Sequence, residues 1–294
     1  MHYPAFLFAG LRQSIAGVIL IILALAANKK ADLSLKNISR QMLVGFLMLT
    51  LGNGCVTWGE KYVPSGIAAL ICSLMPLFAV IFNLAFSRNE KFNITIIGGL
   101  IMGTCGVGLI FLHDIQLLSN KAYLLGMGSV LLATASWAAG TMINKRNTTQ
   151  SVNPFFNSGL QLFFGGCFML IICPVTDDLH HITIWNTEGI LALLYLIIFG
   201  SVLAYAAYMY SLSKLPVGIA TIYAYINPMV AVIVGHFVMN ETLNVYTALA
   251  FTTIVCSVFL VNKGYRKQHK IQNFKNELPA DEPLLNLKAI TENA

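Results

Sequence analysis

Between residues 4 and 262 the chain alternates between long apolar runs and short polar breaks. A helix needs about 20 mainly apolar residues to cross about 30 Å of hydrocarbon, because each residue rises about 1.5 Å. Nine runs meet that length: 4–27, 41–59, 64–86, 94–113, 122–143, 155–176, 188–212, 216–238 and 245–262. The runs are continuous instead of alternating, and they exceed the span of about 10 residues that a membrane barrel strand occupies. A lone strand in lipid would leave its amides unpaired, so the runs predict helices. The fold class that follows is all-α, a polytopic membrane protein with nine transmembrane helices.

One segment occurs twice. PSGIAALICSLMPLFAVIF from Pro64 and PVGIATIYAYINPMVAVIV from Pro216 share 8 of 19 positions, both prolines and the Gly-Ile-Ala triplet among them. The Glu-x-x-Asn that follows each copy recurs at Glu90 and Glu241. The chain therefore divides into a first repeat at 1–116, a second at 117–262 and a polar tail at 263–294, expected to be disordered. The second repeat holds five runs and the first four, so a ten-helix plan minus its first helix is expected.

Composition agrees with lipid as solvent: charged residues are 10% of the chain and apolar ones 57%, against about 25% charged in soluble domains. The net charge of +6 comes from breaks between runs and forms no stripe of the kind that holds nucleic acid. Lys29, Lys30, Lys36, Arg40, Arg88, Lys91, Lys145, Arg146, Lys214 and six tail residues fall on one side, and only Lys61 and Lys121 on the other. That asymmetry puts the first side, and the C-terminus, in the cytoplasm. It also makes the run from Pro64 point inward and the run from Pro216 outward, so the repeats are inverted. Inverted repeats suit a secondary transporter, because exchanging the conformations of equivalent halves opens the protein to each side in turn.

These residues resemble the EamA family of the drug/metabolite transporter superfamily. The resemblance is carried by Ala-Gly-Leu-Arg at Ala9 to Arg12, by the Pro-x-Gly-Ile-Ala pattern with its later Pro in both halves, by Glu90 and Glu241, and by GSVLAYAAYMYSLSKLPVGIA from Gly200. It implies two five-helix inverted repeats around a central cavity, in a bacterial inner (plasma) membrane. The cargo implied is a small metabolite, amino acid or drug, moved usually outward without nucleotide hydrolysis. The alternative reading is a channel, or a signalling or structural membrane protein without carrier activity.

Candidate site residues follow from polarity in the wrong place. Pro76 and Pro228 each remove one helical amide donor in mid-run, which makes them hinges and frees carbonyls. Around them stand Ser73 and Met75 in one half and Tyr223, Tyr225 and Asn227 in the other. Asn53, Trp58, Trp137, Tyr205 and Tyr208 extend this substrate-binding set. Few charges and many aromatic rings suit a neutral, zwitterionic or partly apolar solute. Arg12 is a charge inside the first run; it either snorkels to the outer interface or serves a substrate carboxylate or gate. His236 is a proton relay or an interfacial histidine. Glu60, Glu90 and Glu241 at run ends read as helix caps.

Other chemistry finds no support. HExxH, GxSxG, GxxxxGK[ST] and paired intramembrane aspartates are missing from the chain, which argues against an enzyme, an ATP-driven pump, a cofactor or a metal site. The six cysteines form no CxxC pair and read as small core residues. Gly99-x-x-x-Gly103 allows close helix approach, within the bundle or in a homodimer.

Overall fold

The structure, a computed structural model, describes residues 4–27, 31–86, 94–113, 120–146, 153–177, 187–214 and 245–277, with isolated positions at 230, 234 and 237. All regular elements among these residues are helical: α1 (Ala5–Ala26), α2 (Leu35–Gly59), α3 (Ser65–Cys72), α4 (Met75–Phe86), α5 (Ile94–His113), α6 (Lys121–Arg146), α7 (Pro154–Thr176), α8 (Thr187–Lys214) and α9 (Val245–Glu277). Five of them, α1, α2, α6, α7 and α8, are long and apolar enough to cross a membrane. Tyr223, Tyr225, Asn227, Pro228 and His236 lie outside the described residues, as do Glu90 and Glu241.

Local chemistry sets the helix starts. Pro4 precedes α1, where its missing N–H costs nothing. Ser34 caps α2 by accepting the Asn37 amide at 3.3 Å, and Asn153 caps α7 by accepting the Phe155 amide at 3.0 Å, with Pro154 in the first turn. Ahead of α2, Asp32 accepts the Ser34 amide at 2.9 Å, and that bond holds its carboxyl below the usual carboxylate range. Pro76 stands in the first turn of α4, and the run from Pro64 is broken just before it, at Ser73 and Leu74. A missing donor costs least there, where the first-turn amides have no helical partner. α9 passes the last apolar residues and continues to Glu277, so the expectation of an unstructured tail from Lys263 is corrected for its first part. Lys, Arg, Gln and Glu are good helix formers, and no proline intervenes before Pro279.

Among the described residues, two helices carry a π-helical segment, at matching places: Phe46–Asn53 in α2 and Leu196–Leu203 in α8. Such segments shift the backbone hydrogen-bond register and re-aim side chains, and they are common at functional sites.

Glycine decides which helices touch. α1 lies antiparallel on α7, with Gly10 against Gly166 and Gly17 against Gly159; a Cβ on Gly17 would sit 2.7 Å from the Phe163 Cα and 2.8 Å from the Gly159 carbonyl. α5 lies antiparallel on α9 in the same manner. A Cβ on Gly99 would stand 2.9 Å from the Ser257 carbonyl, and one on Gly106 2.7 Å from Ile254, while the Ser257 hydroxyl donates to the Gly99 carbonyl at 2.6 Å. The Gly99-x-x-x-Gly103 spacing thus serves packing inside the bundle. Between these pairs α2 packs on α6 and α7, and α8 lies along α1 and α7 with one face exposed. One apolar cluster joins α3, α4, α5, α6 and α9; another joins α1, α2, α6, α7 and α8.

Outward faces are apolar too, with Ile22, Leu125, Ile171 and Phe259 each at least 60% exposed. Helices apolar on all sides belong in lipid. Of the six cysteines, all free, Cys173 is buried, whereas Cys105 and Cys256 are exposed. Those two are corrected from core to outer-face residues, which lipid permits.

Candidate functional site

Sequence places isolated amides and rings on helices whose other positions are apolar, and the bundle gathers them. Near the end where α2 begins and α6 ends, a buried chain of amides links four helices. Tyr205 on α8 donates its hydroxyl to Gln161 Oε1 on α7 at 2.6 Å. Gln161 Nε2 in turn donates to Gln41 Oε1 on α2 at 2.6 Å and to Asn144 Oδ1 on α6 at 3.1 Å. Gln41 donates to Asn37 at 2.9 Å, and Asn37 to Asn157 at 3.0 Å. Lys145 adds a bond to the Leu212 carbonyl at 2.7 Å. None of these amides was singled out by sequence reasoning. The signal was present, since Asn37 and Gln41 lie one helical turn apart and Gln161 interrupts an apolar run.

Trp137 of α6 stands above this chain as the hub of an aromatic cluster. Its ring centroid is 6.4 Å from Tyr205, edge-on, and 6.2 Å from Tyr208. Tyr208 shares a hydrogen bond with Thr141 at 3.1 Å. Trp137 also rests on the first π-helical segment, where a Cβ on Gly52 would meet its ring at 2.9 Å. Met75, with Ala79 and Ala138, packs against it from the other side. Tyr205 gives its one hydroxyl donor to Gln161, which leaves its ring and an acceptor lone pair for a solute.

Several candidates stand elsewhere. Ser73 is buried at the break between α3 and α4, and its hydroxyl turns back to the Leu70 carbonyl at 2.6 Å. Asn53 ends the first π-helical segment, next to Gly52. Trp58 is not in the central cluster; it packs with Phe6, Met169 and Cys173 and tilts against Tyr62 at 4.8 Å. Arg12 does not run to the end of its helix. Its guanidinium reaches across to Gly200, in the second π-helical segment at the middle of α8, where a Cβ would be 3.6 Å from Nη1.

At the end near Trp58, Asp177 ties three elements together. Its Oδ2 accepts the Phe6 and Leu7 amides at 2.7 and 2.9 Å, closing the first turn of α1, and Lys61 approaches Oδ1 at 3.5 Å. The carboxylate is buried while Lys61 is 39% exposed, so the amides outweigh the ion pair. Asp177→Ala should lower stability by about 1–3 kcal/mol, by stranding two amide donors. Lys61→Met should cost less than about 1 kcal/mol. Thermal unfolding of both variants in one detergent checks the order.

Among the described residues no group of three or more His, Cys, Asp or Glu could hold a metal ion. The site is built from rings, amides and hydroxyls.

Comparison with known proteins follows the same lines. Residues 1–112 and 124–263 match the model of the EamA-like transporter family. The chain is 32% identical over 264 residues to the inner membrane transporter YedA of Escherichia coli, covering 89% of this chain and 83% of that protein. It is 29% identical over 269 residues to the transporter YvbV of Bacillus subtilis, covering 91% and 85%. A solved crystal structure shares the fold with a TM-score of 0.63 at 17% identity, over 88% of each chain.

Proposed function

Because the chain belongs to the EamA-like transporter family, a family of multi-pass membrane transporters, we propose that it exports one small organic solute by alternating access between two inverted repeats. The solute is neutral or zwitterionic, amino acid-like or drug-like, and the membrane is the plasma membrane. The C-terminus lies in the cytoplasm, on the side where lysine and arginine collect.

The inverted plan draws support from reciprocal contacts. Gly10 and Gly17 of α1 correspond to Gly159 and Gly166 of α7 at one constant shift, and Gly10 meets Gly166 while Gly17 meets Gly159. In α5 and α9 the Gly99 to Ser257 contact has its counterpart in Gly106 to the Ala250 carbonyl. Antiparallel pairs with such exchange are what a two-fold axis in the membrane plane produces. The paired π-helical segments of α2 and α8 follow the same relation. Repeats at 1–116 and 117–262 are therefore proposed as the moving halves, with Pro76 and Pro228 as hinges.

One observation carries the site: Trp137 is held between Tyr205 and Tyr208 and against the first π-helical segment. Rings in that arrangement bind an uncharged or zwitterionic body by stacking and exclude water. Tyr223, Tyr225 and Asn227, of the same repeat as Trp137, are proposed to complete it. In proteoliposomes, counterflow with a panel of amino acids should saturate, and Trp137→Ala should reduce it at least about tenfold, the scale of a buried aromatic contact. Trp58→Ala should spare it. Ion conductance without saturable counterflow would replace the carrier with a channel.

A further inference from the structure

Arg12 stands on α1 about 9 Å past Phe6, which lies in the first turn of that helix. Its guanidinium is laid across to α8, where Gly200 lacks the Cβ that would come within 3.6 Å of Nη1. Gly200 is exposed and Arg12 partly so, which leaves the gap between the two helices open from outside the bundle. In that gap the guanidinium has no hydrogen bond or ion pair with any described residue.

No acid of the chain answers this charge. The 12 acidic residues all fall at the ends of the apolar runs, between them or in the tail. Asp177 is committed to the Phe6 and Leu7 amides and to Lys61, and Glu188 lies about 18 Å along α8 from Gly200. A bare charge inside a membrane span is costly, so such groups face the bundle interior or a water-filled cavity and pair there. Snorkelling to the headgroups would relieve the cost, but the side chain turns to the middle of α8 instead. A guanidinium is a planar fork of donors with no acceptor, and its match is a two-oxygen anion held by parallel hydrogen bonds.

We infer that Arg12 and the gap at Gly200 form an oxyanion site, which takes a carboxylate or phosphate group. A side chain at position 200 would occupy the place that the anion takes. On the carrier reading above, on which the source of the anion rests, it is the carboxylate of the transported solute, and the solute narrows to an amino acid-like zwitterion. The phosphate of an acidic phospholipid offers the same chemistry.

The test is phenylglyoxal labelling of Arg12 in the purified full chain in detergent, read by mass spectrometry. Arg12 should label, and L-leucine, L-phenylalanine or benzoate should slow the labelling at least about tenfold at saturation, the scale of a charge-assisted hydrogen-bonded pair. Their carboxamides should not. Phosphatidylglycerol set against phosphatidylcholine is the second arm: if it alone protects, the oxyanion is the lipid phosphate, and the site stands with a lipid in place of the solute. Arg12→Gln should remove carboxylate binding in calorimetry without lowering the melting temperature of the ligand-free protein, because it breaks no bond. Gly200→Val fills the gap, spares the charge and should weaken protection. An Arg12 that does not label, equal protection by acid and amide, protection by none of these probes, or a lower melting temperature for Arg12→Gln overturns the inference. Acid-selective protection without counterflow would sink the carrier reading and leave the site in place; counterflow without protection would do the reverse.

Discussion

Gly17→Val should leave little folded protein. A side chain there meets backbone: the Phe163 Cα and the Gly159 carbonyl lie within 2.8 Å of the first added carbon, and neither can rotate away. α1 must lift off α7, and since Gly10 and Gly166 share the same seam, the whole pair opens. Overpacking in a well-filled interior costs about 1–3 kcal/mol where side chains can yield. Here they cannot, so the cost should exceed about 3 kcal/mol, enough to undermine a protein of ordinary marginal stability. Gly128 is the control. A Cβ at that position has nothing within 4 Å, so Gly128→Ala should be neutral or stabilise by up to about 1 kcal/mol through helix propensity. Size-exclusion profiles and melting curves of both variants decide the matter, and a well-folded Gly17→Val protein would contradict the close α1 to α7 seam.

Gln161→Leu should be nearly as damaging, for the opposite reason. The cavity is refilled, but the Tyr205 hydroxyl and the Gln41 carbonyl lose their partner, and Asn144 loses one of its own. Each stranded buried group costs about 1–3 kcal/mol, so a loss of about 3–5 kcal/mol is expected. Tyr205→Phe alone removes one hydroxyl and should cost about 1 kcal/mol. In the double variant the losses should fall short of additive, because the hydroxyl that Gln161→Leu strands is already gone. Additive losses would show that the two side chains do not work as one network. Urea or thermal unfolding of the four proteins in matched detergent closes the cycle.

Much of the architecture is legible in the order of residues. Long apolar runs leave helices as the only backbone that satisfies itself in lipid, and Pro64, Pro76, Pro154 and the caps Ser34 and Asn153 mark starts and breaks. The Gly99-x-x-x-Gly103 spacing announces a close helix contact, though not its partner. The family itself is readable from short motifs repeated in both halves. Trp137, Tyr205 and Tyr208 stand out as aromatic residues in apolar runs.

The site resisted reading for a physical reason. Gln13, Gln41 and Gln161 look alike in sequence, each a single amide among apolar neighbours. Whether such an amide is structural or available depends on what faces it from another helix, and that is set by helix rotation and register. Gln161 meets three partners and holds the bundle; Gln13 has no hydrogen-bond partner among the described residues. Trp58 and Trp137 separate in the same way, one into an outer cluster beside Asp177, the other into the centre. The π-helical segments were equally hidden, because no local residue preference marks them; the first packs on α6 and α7 and the second on α1. Hydropathy and covalent order determine that the chain spans lipid as several helices. Only the meeting of those helices decides which polar groups are paired, and so where a solute can bind.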